Sequence, residues 1–142
     1  MGRRAAREIA MKLLYQFEIQ KDDREEQIQV LLQENDLAEN DKVYLLDVVE
    51  GVSDNLVHID TAIEKYSKGW KINRISKVDL SILRLSIYEI SFRDDIPLNV
   101  SINEAVELAK KYSNEEAGSF VNGILGKIPK LQVLQPNDSV DS

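Results

Sequence analysis

The sequence predicts an all-α fold on three observations. Apolar residues recur every three or four positions along most of the 142-residue chain. No run reads as a convincing β-strand, and Ser-x-x-Glu signatures of a helix start stand before two of the apolar runs. The length fits one domain able to bury a real core. With no cysteine the chain forms no disulfide and offers no thiolate, and no apolar run approaches membrane-spanning length. A cytoplasmic protein is the expectation.

The first helix is expected over Arg3–Glu18, with Ala5, Ala6, Ile9, Ala10, Leu13, Leu14 and Phe17 on one broad side facing a core. Glu8 and Lys12 form a favourable i,i+4 pair. Arg3, Arg4 and Arg7 gather on an adjoining edge that Met11 and Tyr15 continue. A second helix is expected over Arg24–Gln33, capped by Asp23, with Ile28, Leu31 and Leu32 inward. From Asp41 to about Tyr66 the positions Val43, Leu46, Val49, Val52, Leu56, Ile59, Ile63 and Tyr66 predict one long helix bent at Gly51. His58, beside that stripe, reads as a solvated surface residue.

A short helical turn is expected over Asn73–Ile75 after Trp70. The segment Val78–Phe92 is apolar almost all round, which places it in the middle of a bundle. Arg84 and Glu89 within it read as hydrogen-bonded core or edge groups. Ser101-Ile-Asn-Glu104 predicts a capping box, with Val100 against Ala105 as its staple, before a helix to about Tyr112. Ser113-Asn-Glu-Glu116 predicts a second box before a last helix that ends near Ile128, where Pro129 blocks continuation. Residues 131–142 read as a disordered polar tail behind a domain over residues 1–130.

The arginine edge carries the functional reading. Three arginines in a first helical turn oppose the helix dipole, at roughly 0.3–1 kcal/mol each. A local rule broken in this way often marks a site. Guanidinium forks and free N–H groups bind phosphate, and Tyr15 offers a ring for base stacking. Two readings fit the stretch equally: a nucleic-acid phosphate site, or a solvated helix start whose arginines pair with surplus acid elsewhere. The net charge of −7 excludes a general nucleic-acid binder, and the first twelve residues hold a local +3 against −10 in the remainder. Any binding is then short and local. Phe120, with Glu116 one turn earlier on the same flank, reads by itself as a core-rim aromatic.

No nucleophile–base pair, metal-ligand spacing or phosphate-cradling loop stands out, so nothing positive supports an enzyme or a cofactor. Against the RNA-binding reading stands a helical adaptor whose arginine edge docks an acidic protein.

Taken together, the blocks resemble the NusB family of transcription antitermination factors. The resemblance rests on Arg3-Arg4-Ala-Ala-Arg7-Glu8 with Leu14-Tyr15, on Ile82-Leu83-Arg84-Leu85 with Tyr88-Glu89, and on Ile96-Pro97. It continues through Ile102-Asn103-Glu104-Ala105-Val106-Glu107-Leu108-Ala109-Lys110 and Phe120-Val121-Asn122-Gly123-Ile124-Leu125. It implies a bundle of about seven helices in two packed subdomains. It also implies binding of boxA-type single-stranded RNA together with NusE, a small-subunit ribosomal protein. That complex would join the RNA polymerase elongation complex with other Nus factors to promote transcription of ribosomal RNA operons. Matched to the family's RNA contacts, the site residues are Arg3, Arg4, Arg7, Tyr15, Asp79, Glu116 and Phe120, and Phe120 becomes a stacking ring.

Overall fold

The computed structural model describes residues 2–130. The expected polar tail lies outside the described residues. Among the described residues seven α-helices follow one another: α1 (Arg3–Ile19), α2 (Arg24–Glu34), α3 (Glu39–Asp54), α4 (Leu56–Tyr66), α5 (Lys77–Phe92), α6 (Leu98–Tyr112) and α7 (Glu115–Leu125). A 3-10 turn, Ile72–Arg74, precedes α5. No strand occurs among the described residues, and no helix among them is long and apolar enough to cross a membrane.

The all-round apolar segment forms α5, and it touches α1, α3, α4, α6 and α7. Its residues from Leu80 to Ser91 are all buried. Ser76 caps it by accepting the Asp79 N–H at 3.1 Å. Arg84 donates from this helix to Glu18 and Asp60, each at 2.9 Å, and so ties α1 and α4 to α5. α1 and α3 pack together and against α5, while α6 and α7 form a hairpin on its other side. Gly118 permits that hairpin's close approach, because a Cβ there would lie 3.0 Å from Lys110 Cγ.

Several local expectations are corrected. The long helix is two helices, interrupted at Asn55 and not bent at Gly51. The Asn55 side-chain amide donates to the Gly51 carbonyl at 2.8 Å and competes with the helical ladder. Gly51 has another purpose. Tyr88 of α5 lies across it so closely that a Cβ would fall 2.1 Å from the Tyr88 ring. Val43, assigned to the core stripe, is 60% exposed, and Tyr44, Leu45 and Val48 are buried instead. Asp23 stands before α2 in a left-handed conformation without a side-chain capping bond. Asn114, not Ser113, caps α7, accepting the Ala117 N–H at 2.8 Å.

Ser101 caps nothing. α6 begins three residues earlier, at Leu98, behind Pro97. Proline's fixed φ suits a helix start, where its missing N–H is not needed. The Ser101 hydroxyl is then free to turn inward.

Candidate nucleic-acid interface

The three N-terminal arginines each find a carboxylate on a different helix. Arg3 Nε donates to Asp41 of α3 at 3.0 Å, and its guanidinium lies 4.4 Å from the centre of the Tyr44 ring. Arg4 meets Glu104 of α6 in a two-pronged contact of 2.9 and 2.6 Å. Arg7 points into the core and grips Glu89 of α5 at 2.8 and 3.2 Å. Glu89, 1% exposed, also accepts the Tyr44 hydroxyl and, at 2.8 Å, the Ser101 hydroxyl. Burial, and next the charge of Glu89, push the Tyr44 phenol well above its ordinary range, which keeps it a donor. These carboxylates supply the compensation that the helix dipole withholds.

Of the three arginines, Arg7 is the one that the bundle encloses. Arg7 is 4% exposed, with one edge of its guanidinium bonded to Glu89 and Nη1 3.6 Å from Glu104, so burial and these carboxylates leave no room for a phosphate in this arrangement. Met11, placed on the same edge, is buried as well. Arg4 differs, because its side chain is 76% exposed despite the pair with Glu104. Arg3 is half-buried.

Along α1, Glu8, Lys12 and Tyr15 share the face adjoining the end of α6, since residues seven apart nearly superimpose on a helix. Glu8 accepts the Tyr112 hydroxyl and, at 3.0 Å, the Lys111 ammonium. Burial works against the Glu8 carboxylate, but these two bonds and the charges of Lys111 and Lys12 together outweigh it and hold its pKa below the usual range. Tyr15 is half-buried on this face.

The next residues after Tyr112 lead into a different kind of surface. An open hollow of about 390 Å³ is lined by Trp70 and Arg74, by Ser76 and Asp79 at the start of α5, and by Asn114, Glu116 and Phe120 of α7. Three residues that the sequence separates by up to 41 positions, Asp79, Glu116 and Phe120, therefore meet. Phe120 and Trp70 stand edge to face, with ring centres 6.1 Å apart and planes at 70°. Trp70 is 52% exposed. Burial raises the Asp79 carboxyl above its ordinary range, with Ser76 and Ser113 acting in the opposite direction. One Asp79 oxygen, Oδ1, is sealed from solvent without a hydrogen-bond partner.

Sequence reading missed Trp70 and the charge around it. Lys65, Lys68, Lys71, Arg74 and Lys77 recur every third residue, with no acid between Lys65 and Val78. That run is more basic than the start of α1. Among the described residues Lys68, Lys71 and Arg74 enter no salt bridge.

The sequence profile of the NusB family matches residues 4–130. This chain belongs to the NusB family. The transcription antitermination protein NusB of Acetivibrio thermocellus is 68% identical over 134 residues, 94% of this chain and 92% of that protein. The NusB of Ruminiclostridium cellulolyticum is 62% identical over 144 residues, covering 100% of this chain and 99% of its own. Among solved structures, NusB from T. maritima superimposes with a TM-score of 0.82 at 36% identity, covering 100% of this chain and 99% of that one. A crystal structure of the antitermination factors NusB and NusE in complex with dsRNA gives a TM-score of 0.80 at 30% identity, over 89% of this chain and 94% of that one. The all-helical NusB fold is thus common to this chain and its solved relatives.

Proposed function

We propose that this chain is an antitermination factor that binds boxA-type RNA together with NusE and carries that complex to elongating RNA polymerase on ribosomal RNA operons. The observation that carries the reading is the convergence of Asp79, Glu116 and Phe120 on one open hollow beside Trp70. Relatives bearing the antitermination name over nearly the full chain support it, and a solved NusB held with NusE and dsRNA supports NusE and RNA as partners.

The chemistry of the hollow fits a base better than a phosphate. A ring offers a stacking face that every base accepts, worth about 1–3 kcal/mol per base. The carboxylates of Asp79 and Glu116 accept hydrogen bonds, so they favour the amino and imino edges of bases and repel the backbone. Arg4 is exposed enough to exchange Glu104 for a phosphate, and Tyr15, three turns further along α1, offers another ring. Arg7 serves by holding α1 in place. NusE would supply further contacts that tighten and specify the binding.

The test is titration of labelled boxA-type single-stranded RNA, a scrambled strand and a duplex, with wild type and Phe120→Ala, with and without NusE. The reading expects preference for the boxA strand, tightening by NusE and about 5–150-fold weaker binding by the variant. Equal binding of all three RNAs, unaffected by Phe120→Ala, would contradict it.

A further inference from the structure

The turn that presents Trp70 is built to stay open. Ser67 is buried, and its hydroxyl donates to the Trp70 carbonyl at 3.1 Å. The Ile72 N–H donates to the Glu64 carboxylate at 2.9 Å, closing the loop from the other side. Between these clamps Lys68 and Gly69 take consecutive left-handed conformations, with φ of 58° and 90°. A lysine at positive φ is uncommon and mildly strained. The outcome is a half-exposed indole on a clamped turn whose other side is a shallow hollow of about 380 Å³ lined by Lys68, Gly69, Lys71 and Arg74.

We infer that this turn is the second half of the RNA site: Trp70 stacks a base next to the one on Phe120, and Lys68, Lys71 and Arg74 take the flanking phosphates. The inference rests on the RNA-binding reading and deepens it. Three observations carry it. The two rings stand edge to face at 70°, so they cannot sandwich one base, and the exposed indole of Trp70 is open to a base other than the one on Phe120. Neighbouring bases set at such an angle are unstacked from one another, which a single strand tolerates and a duplex resists. The cations around Trp70 are exposed and free of salt bridges among the described residues, whereas those of α1 are paired. The acidic hollow and the basic turn also adjoin across Trp70 and Arg74, which line both. Bases thus face carboxylates while the backbone runs over lysines, and this fixes the orientation of the strand.

Trp70 is the single tryptophan of the chain, so its emission reports this site directly. The experiment titrates the full-length protein with a boxA-type single strand of about 12 nucleotides, within the usual site size of single-strand binders. It follows Trp70 fluorescence and, in parallel, the anisotropy of a label on the RNA. Quenching that saturates at the same midpoint as the anisotropy is expected, with little quenching by the corresponding duplex. Trp70→Ala should bind about 5–150-fold more weakly, and Trp70→Phe, which keeps a ring, should recover most of that loss. The Lys68→Ala/Lys71→Ala/Arg74→Ala variant should lower the log–log salt slope by about 2, as three single-strand phosphate contacts require. RNA binding with unchanged Trp70 emission and an unchanged slope in the triple variant would overturn this inference and leave the RNA-binding reading intact. Equal quenching by the duplex would overturn the two-base geometry. Absence of any RNA binding by wild type would overturn the reading beneath it.

Discussion

The start of α1 and the turn before α5 carry the two densest runs of positive charge in the protein, and the fold uses them in opposite ways. On α1 the guanidinium groups reach Asp41, Glu89 and Glu104 and fasten one helix to three others. Around Trp70 the cations extend from a turn with no core of its own and find no internal acid among the described residues. Charge density alone therefore does not mark a phosphate site. What separates the two regions is whether the bundle offers a carboxylate within reach.

The largest expected effect lies in the first region. Arg7→Ala strands the buried Glu89 carboxylate, leaving it only Tyr44 and Ser101, and should cost about 3–5 kcal/mol of unfolding free energy in urea denaturation. Any loss of RNA binding by that variant should vanish once only its folded fraction is counted. A measured cost below 1 kcal/mol would mean that the fold does not depend on this pair. Gly51→Ala tests the same scaffold without touching a charge. The added methyl collides with the Tyr88 ring, which Asp47 holds through a 2.9 Å hydrogen bond and Phe92 holds by stacking. Overpacking of this kind should cost about 1–3 kcal/mol, read from the denaturation midpoint.

Arg4 sharpens the contrast further, because it is paired but exposed. Arg4→Ala should reduce the log–log salt slope of RNA binding by about 0.7, one phosphate contact on a single strand. Glu104→Gln, which frees the guanidinium, should strengthen RNA binding. Identical affinity and slope in both variants would place Arg4 wholly with the structural arginines.

The smallest effect is a pH dependence. The Arg4 hydrogen bond, working against burial, holds the Glu104 carboxyl below its ordinary value of 4.5. A depressed carboxylate contributes stability that is complete above that ordinary value and is lost as pH falls through it toward the folded-state value. Thermal melts of wild type should therefore decline on acidification below about pH 4.5 more steeply than those of Glu104→Gln. Parallel curves would show that the pair adds nothing to the folded state.

Much of the fold was legible because helical periodicity is a local signal. The all-round apolar segment gave α5 and its central position, and the stripe on α1 needed little adjustment. Breaks and caps were less legible. Asn55 ends α3 through a side-chain bond to a carbonyl that no apolar pattern encodes. Ser101 satisfies a capping-box pattern, yet its hydroxyl serves Glu89 because Pro97 has already started the helix. The site divided along the same line. Arg7 and Glu89 lie 82 residues apart, so no local reading reveals that one neutralises the other. Asp79, Glu116 and Phe120 came from family resemblance, and the fold places them together. The basic run from Lys65 to Lys77 was visible all along, but it crosses a non-helical turn where helical faces give no guide to which charges stand side by side.

One measurement bears most directly on where RNA lies. Ultraviolet cross-linking of a boxA-type single strand to the full-length protein, with the adducts mapped by mass spectrometry, should place them on Trp70 and Phe120. Adducts confined to residues 3–15, with none at either ring, would contradict the account.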